Sequence, residues 1–152
     1  MGAGYKAYGT NTLASSPDTA LTVIGNASAA RRHWIDEIII GILGTPSDNN
    51  SDWVAQRCTV EGTATGVTPT KDDPADIGAT ANVGENHTVE PTYTSAEELL
   101  ELPMNHRGTF RWVAPSPIRR LVTPATTNAG VGVKTGHASA TVDYGVQMAW
   151  EE

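Results

Sequence analysis

Hydrophobic and polar residues alternate along most of this chain, and the alternation is longest over residues 138–151. Ala138, Ala140, Val142, Tyr144, Val146, Met148 and Trp150 fall on one side there. Ser139, Thr141, Asp143, Gly145, Gln147, Ala149 and Glu151 fall on the other. A period of two sustained this far predicts a strand with one buried face. A second strand is predicted over residues 33–43. Ile38, Ile40 and Ile42 share one of its faces, and Ile35, Glu37, Ile39 and Gly41 the other. Apolar residues on both faces predict a central strand covered, at least in part, on both sides. Ile35, Ile38, Ile39 and Ile42 also have helical spacing, but a run of isoleucines interrupted by Gly41 favours strand.

Residues 53–60 predict the next strand, with Val54, Gln56, Cys58 and Val60 on its inward side. Further strands are predicted at 5–10, 20–24, 121–123 and 130–134. A long excursion over 77–94 is expected to hold one short strand near 87–91. Pro69 and Pro91 argue for edge positions. Residues 97–103 fit a helix opened by the capping box Ser95–Glu98, and they also fit a strand. The reading adopted is a strand–turn–strand hairpin across Asn105-His106-Arg107-Gly108 into residues 109–113. Eight or nine short strands with frequent turns predict an all-β fold, an antiparallel β-sandwich or barrel, in one domain over residues 1–152. Strand–helix alternation, internal repeats and low-complexity tracts are absent from the sequence.

Composition strengthens the β reading. The chain holds 20 Thr, 12 Val and 8 Ile, side chains that suit pleated strands, and its 15 Gly and 9 Pro supply turns. Charge narrows the partners. A formal net charge of −7, with only Lys6, Lys71 and Lys134 as lysines, argues against a nucleic-acid backbone as partner. The longest apolar run, residues 38–43, is too short to cross a bilayer. One cysteine, Cys58, excludes an intrachain disulfide. The start, Met1-Gly2-Ala3-Gly4-Tyr5-Lys6, lacks the pattern of a secretion signal or a myristoylation site, so folding in a cytoplasm is expected.

Catalytic and metal chemistry find no patterned support. Cys58 shares its face with Val54 and Val60 and reads as a small buried hydrophobe. His33, His87, His106 and His137 lack zinc-site spacing and read as scattered surface or loop residues. Asp72, Asp73 and Asp76 could offer oxygens to calcium, but Pro74 interrupts them and a solvated turn is the simpler reading; Glu85, His87 and Glu90 are judged alike. Glu97, Glu98 and Glu101 read as an acidic face. The sequons at Asn26, Asn49 and Asn86 carry no weight without a secretion signal. Trp34, Trp53, Trp112 and Trp150 read as core or sheet cover, although two exposed side by side would favour a sugar-binding module. No catalytic residue, cofactor or metal site is expected, and the chain reads as a non-enzyme.

Five segments carry a resemblance: Trp53-Val54-Ala55-Gln56-Arg57-Cys58-Thr59, Gly66-Val67-Thr68-Pro69, Asp73-Pro74-Ala75-Asp76, Glu85 to Tyr93, and Asn105 to Ala114. With the closing strand over 140–152, they resemble small structural proteins of tailed bacteriophages and related environmental viruses. The resemblance implies a jelly-roll-like sandwich of about eight strands. It implies a capsid decoration, or cement, protein that binds the outside of the shell, commonly as a homotrimer. The partner would then be the major capsid protein, the location the virion surface, and the site of synthesis the host cytoplasm. Alternatives are a head fibre, tail tip or shell subunit, or a carbohydrate-binding sandwich. Partner contacts are expected from a short flexible N-terminal arm over residues 1–10 (Tyr5, Lys6, Tyr8), from Asp48, Asn49, Asn50 and Asp52, and from Lys71, Asp72 and Asp73.

Overall fold

The computed structural model describes residues 2–13, 18–26, 31–138 and 141–152. Among them run twelve strands: β1 (Gly4–Leu13), β2 (Thr19–Gly25), β3 (Trp34–Leu43), β4 (Asn50–Val60), β5 (Thr63–Gly66), β6 (Thr70–Lys71), β7 (Ala81–Val89), β8 (Thr92–Asn105), β9 (Phe110–Val113), β10 (Leu121–Val122), β11 (Gly130–Ala138) and β12 (Val142–Glu151). A single 3-10 turn spans Pro117–Arg119. The first sheet runs β10-β3-β12-β1-β6, with β9 beside β10 along β3. The second runs β5-β7-β2-β11-β4-β8.

The pairing follows one rule. β1 pairs with β12, β2 with β11, β3 with β9 and β10, and β4 with β8, all antiparallel. The front half of the chain is therefore a ribbon laid antiparallel to the back half. The ribbon is rolled so that alternate strands fall in opposite sheets, which is the jelly-roll order. Nine strands form this roll, and the total is twelve where about eight were expected. The others come from the link between β4 and β8, where β6 extends the first sheet beside β1 and β7 and β5 extend the second beside β2.

The core lies between the sheets. From the first come Tyr5, Ile38, Ile40, Tyr144, Val146, Met148 and Trp150, all essentially fully buried; from the second come Leu21, Val23, Val131, Val133, Trp53 and Ala55. Tyr144 meets Trp53 edge-on at 4.3 Å between ring centroids, a favoured aromatic arrangement. The alternation of β12 thus does what its sequence demands. Ala138 belongs to β11 instead, and residues 139 and 140 lie outside the described residues.

Several expectations are corrected. The N-terminal segment is no flexible arm from Gly4 onward: β1 is held between β12 and β6, with Tyr5 and Ala7 buried. Ile35 joins the core with Ile38 because a register shift at β3 pairs Glu37 with Ala149 but Ile35 with Trp150. The outer face of β3, carrying Glu37, Ile39 and Gly41, is half-buried, and no further layer of strands lies over it among the described residues. On β4 the core-facing residues are Trp53 and Ala55, while Cys58 and Gln56 face away from the core and are buried by a second layer. In that layer Tyr93 covers Gly132, where an added Cβ would come within 2.5 Å of its hydroxyl, and Lys134 Nζ sits 4.2 Å from the Tyr93 ring centroid. Residues 97–103 are strand, but the hairpin is not formed. The Asn105–Gly108 turn closes with Gly108 N donating to Asn105 O at 3.0 Å, yet β8 belongs to the second sheet and β9 to the first. A jelly roll requires that crossing.

Candidate docking edge

The link between β4 and β8 returns past β1, and residues 70–77 are braced there at almost every position. β6 pairs with Tyr5 and Lys6. Asp72 N donates to Gly4 O at 2.9 Å, and the Lys6 ammonium lies 2.7 Å from the Asp72 carboxylate. Lys71 Nζ turns back to donate to Pro74 O at 2.8 Å and Asp76 O at 2.7 Å. The Asp73 carboxylate accepts from Ala75 N at 2.8 Å, as Asx turns do. The Tyr5 hydroxyl donates to Ile77 O at 2.9 Å. Burial, helped by Glu152 and Asp76, raises the Tyr5 pKa and keeps that donor protonated. The loop so held presents Ile77, 66% exposed, directly after its turn at Asp73–Asp76. A braced loop loses little conformational freedom on binding, which favours its use as a contact element.

The structure therefore unites Lys6, Lys71, Asp72 and Asp73 on one edge. Tyr5 does not join them as a contact residue: it is 1% exposed, packs 6.0 Å from Trp150 and serves as the anchor beneath. Tyr8 lies two residues along β1 on the open face of the first sheet, 49% exposed. Asp48, Asn49 and Asn50 lie elsewhere. They follow Leu43, which pairs with Asp143, whereas Lys6 pairs with Ala149 at the other end of β12. There Asp48 pairs with Arg107, Asn49 O accepts from His106 N, and Asn50 Oδ1 accepts from Asn105 Nδ2 at 3.3 Å. Asp52 stands opposite Pro103 on the outside of the second sheet. Sequence reading missed Ile77, because a lone isoleucine in a polar stretch carries no periodic signal.

The remaining candidate groups are spent on structure. Among the described residues no group of three His, Cys, Asp or Glu is placed to hold a metal ion. Three histidines are buried, against the expectation of surface positions. His33 Nδ1 meets the Thr123 hydroxyl at 2.7 Å, His106 Nε2 the Ser51 hydroxyl at 2.6 Å, and His87 Nε2 the Thr22 hydroxyl at 3.4 Å. Burial lowers the pKa of all three. The His137 side chain lies outside the described residues. Glu97 approaches Arg57 at 3.4 Å and Glu98 accepts from Gln56 at 2.9 Å; with exposed Glu101 they place charge along the edge strand β8, which discourages further pairing there. Trp53 and Trp150 are buried, and the half-buried Trp34 and Trp112 face opposite sides of the first sheet.

Burial also pushes the Cys58 thiol up to about 11, so little thiolate exists at neutral pH. A disulfide reagent at pH 8 is expected to leave Cys58 unmodified in the folded protein and to titrate one thiol after denaturant is added. Modification within minutes without denaturant would contradict this burial. Compared with protein-family models, with curated proteins and with solved structures, the chain matches none.

Proposed function

We propose that this chain is a non-enzymatic virion component, a capsid decoration or cement protein. It docks on the outside of an assembled shell through the edge built from Lys6 and residues 70–77, with exposed Ile77 as its apolar contact, and it acts as a homotrimer. The observation that carries this reading is the braced loop: side chains distant in sequence are spent on holding one exposed apolar residue beside a self-paired Lys6–Asp72 rim. An apolar anchor within a polar rim is the usual anatomy of a protein contact. The jelly-roll order and the net charge of −7, suited to solubility beside other acidic bodies, support it further. The action is mechanical. A protein that binds only the assembled shell shifts the assembly equilibrium toward it by mass action.

The test is co-sedimentation with capsids of the encoding virus that lack this chain. The wild-type protein is expected to pellet with the shells. Ile77→Asp is expected to bind at least about tenfold more weakly, with an unchanged melting temperature because the side chain is exposed. Light scattering is expected to give three times the 16.0 kDa chain mass. A wild-type protein that stays in the supernatant, or an Ile77→Asp variant that pellets equally well, would overturn the reading.

A further inference from the structure

The open face of the first sheet carries a trough set by register. Tyr8, Gln147 and Ile39 form one cross-strand row, Thr12, Asp143 and Leu43 another, and between them lie Thr10, Gly145 and Gly41. Two adjacent glycines remove the side chains that would fill the middle row. Tyr8 leans into the space: a Cβ added at Gly145 would come within 2.3 Å of its hydroxyl and 2.8 Å of two ring carbons. Beside Gly41 only Thr109 approaches, at 3.5 Å. The hollow measures about 280 Å³, and it meets at Leu43 a second one of about 410 Å³ that reaches Thr10, Thr12 and Asp143. The first, which holds Tyr8, Gln147 and Thr109, lies near the lower end of the size range of small-molecule sites, ~300–1,000 Å³.

The chemistry of the lining selects the occupant. An aromatic ring with half its surface open offers a stacking platform. The Tyr8 hydroxyl, the Gln147 amide and the Thr109 hydroxyl have no hydrogen-bond partner among the described residues. The charges flanking the platform are already engaged, Lys6 with Asp72 and Glu37 with Arg111, and Asp143, in the far row of the trough, accepts from the Thr12 hydroxyl at 2.6 Å. An apolar protein surface laid here would bury those neutral polar groups unsatisfied, at ~1–3 kcal/mol each. A charged ligand would find no free counter-charge at the platform. A molecule with apolar C–H faces and a rim of hydroxyls meets both demands. We propose that this trough binds a neutral saccharide, stacked on Tyr8 and hydrogen-bonded to Gln147 and Thr109, on a surface separate from the Ile77 edge.

The test is an amide-detected NMR titration of the free protein with cellohexaose, mannohexaose, maltohexaose and chitohexaose, each to about 20 mM, a range that registers weak millimolar binding. At least one is expected to shift the Gly41 and Gly145 amides and the Gln147 side-chain amide in a saturable way. Tyr8→Ala is expected to weaken that binding at least about tenfold, and Tyr8→Phe, which keeps the ring, by no more than about threefold. Gly145→Ala, whose methyl displaces an exposed and movable ring, is expected to weaken it as Tyr8→Ala does. Ile77→Asp is expected to leave it unchanged, so this test fails or succeeds independently of shell docking. No response at these amides from any of the four sugars, shifts confined to another surface, or undiminished binding by Tyr8→Ala would each overturn the proposal.

Discussion

Glu152→Ala is expected to lower the melting temperature by about 12 °C, the consequence of losing about 4 kcal/mol in a chain of this length. The Glu152 side chain is only 3% exposed and its carboxylate accepts from four donors. These are Thr80 N at 2.8 Å, the Thr80 hydroxyl at 2.6 Å, Ala81 N at 3.1 Å and Trp150 Nε1 at 3.2 Å. They join the end of β12 to the start of β7 and so tie the first sheet to the insertion. Alanine would leave all four unsatisfied in a site with little access to water, and orphaned donors cost more than the net worth of the bonds they lose. Glu152→Gln keeps one accepting oxygen but turns an NH2 group toward donors, so it is expected to lose roughly half as much. A calorimetric shift below about 2 °C for Glu152→Ala would show that the carboxylate does not hold these elements together.

Acidification from pH 7.5 to 5.5 is expected to destabilise the protein, by up to about 10 °C in melting temperature. His33, His87 and His106 are each buried and each binds a single hydroxyl. The second ring nitrogen, Nε2 of His33 and Nδ1 of His87 and His106, has no hydrogen-bond partner. Protonation would put a charge on each buried ring, and of the three only His33 has a carboxylate near its second nitrogen, Glu152 at 3.7 Å. Burial therefore holds each folded pKa below its unfolded value near 6.5. A group depressed in this way contributes stability that is complete above the unfolded pKa and is lost as pH falls below it. Three such groups give at most about 4 kcal/mol per pH unit.

Other charges modify the slope. Glu152, 3.7 Å from His33 Nε2, favours the imidazolium there and softens that site. Glu61 reaches the same Thr22 hydroxyl as His87, and burial raises the pKa of Glu61, Glu90 and Asp36. Those three carboxyls work in the opposite direction. Their raised folded pKa means that they gain stability as pH falls through it, which limits the loss. Glu151 and Glu152 are held low by their hydrogen bonds and withdraw stability at more acidic pH. The histidine variants separate these contributions: His106→Gln, or His87→Gln, is expected to flatten the decline between pH 7.5 and 5.5. A melting temperature that is level over that range, or a decline that both single variants leave intact, would refute the histidine origin.

Much of the fold was legible because strand alternation is a local property. Tyr144, Val146, Met148 and Trp150 announce a buried face, and so do Ile38 and Ile40, without reference to the rest of the chain. Errors arose where burial depends on a distant segment. Cys58 and Gln56 are buried on the outward face of β4 beside Tyr93, Thr94 and Glu98 of the distant strand β8. Ile35 entered the core through a bulge that periodicity cannot register. The docking edge was half visible. Lys6 and residues 71–73 stood out as polar and turn-rich, but Tyr5 was misplaced, because an aromatic at position 5 reads equally as a contact or an anchor until its neighbour Trp150 is known.

The sequence by itself determined that this chain is built from extended segments, which side chains β12 turns inward, and that its net charge is negative. These follow from two-residue periodicity and from composition, which each segment carries alone. Only the tertiary structure decided the jelly-roll order, the crossing at Asn105–Gly108 between sheets, the meeting of Lys6 with residues 70–77, and the pairing of Gly41 with Gly145, the latter beneath Tyr8. The physical reason is that backbone hydrogen bonds carry no address. Which strand pairs with which is settled by how all the apolar faces are buried together, a property of the whole chain.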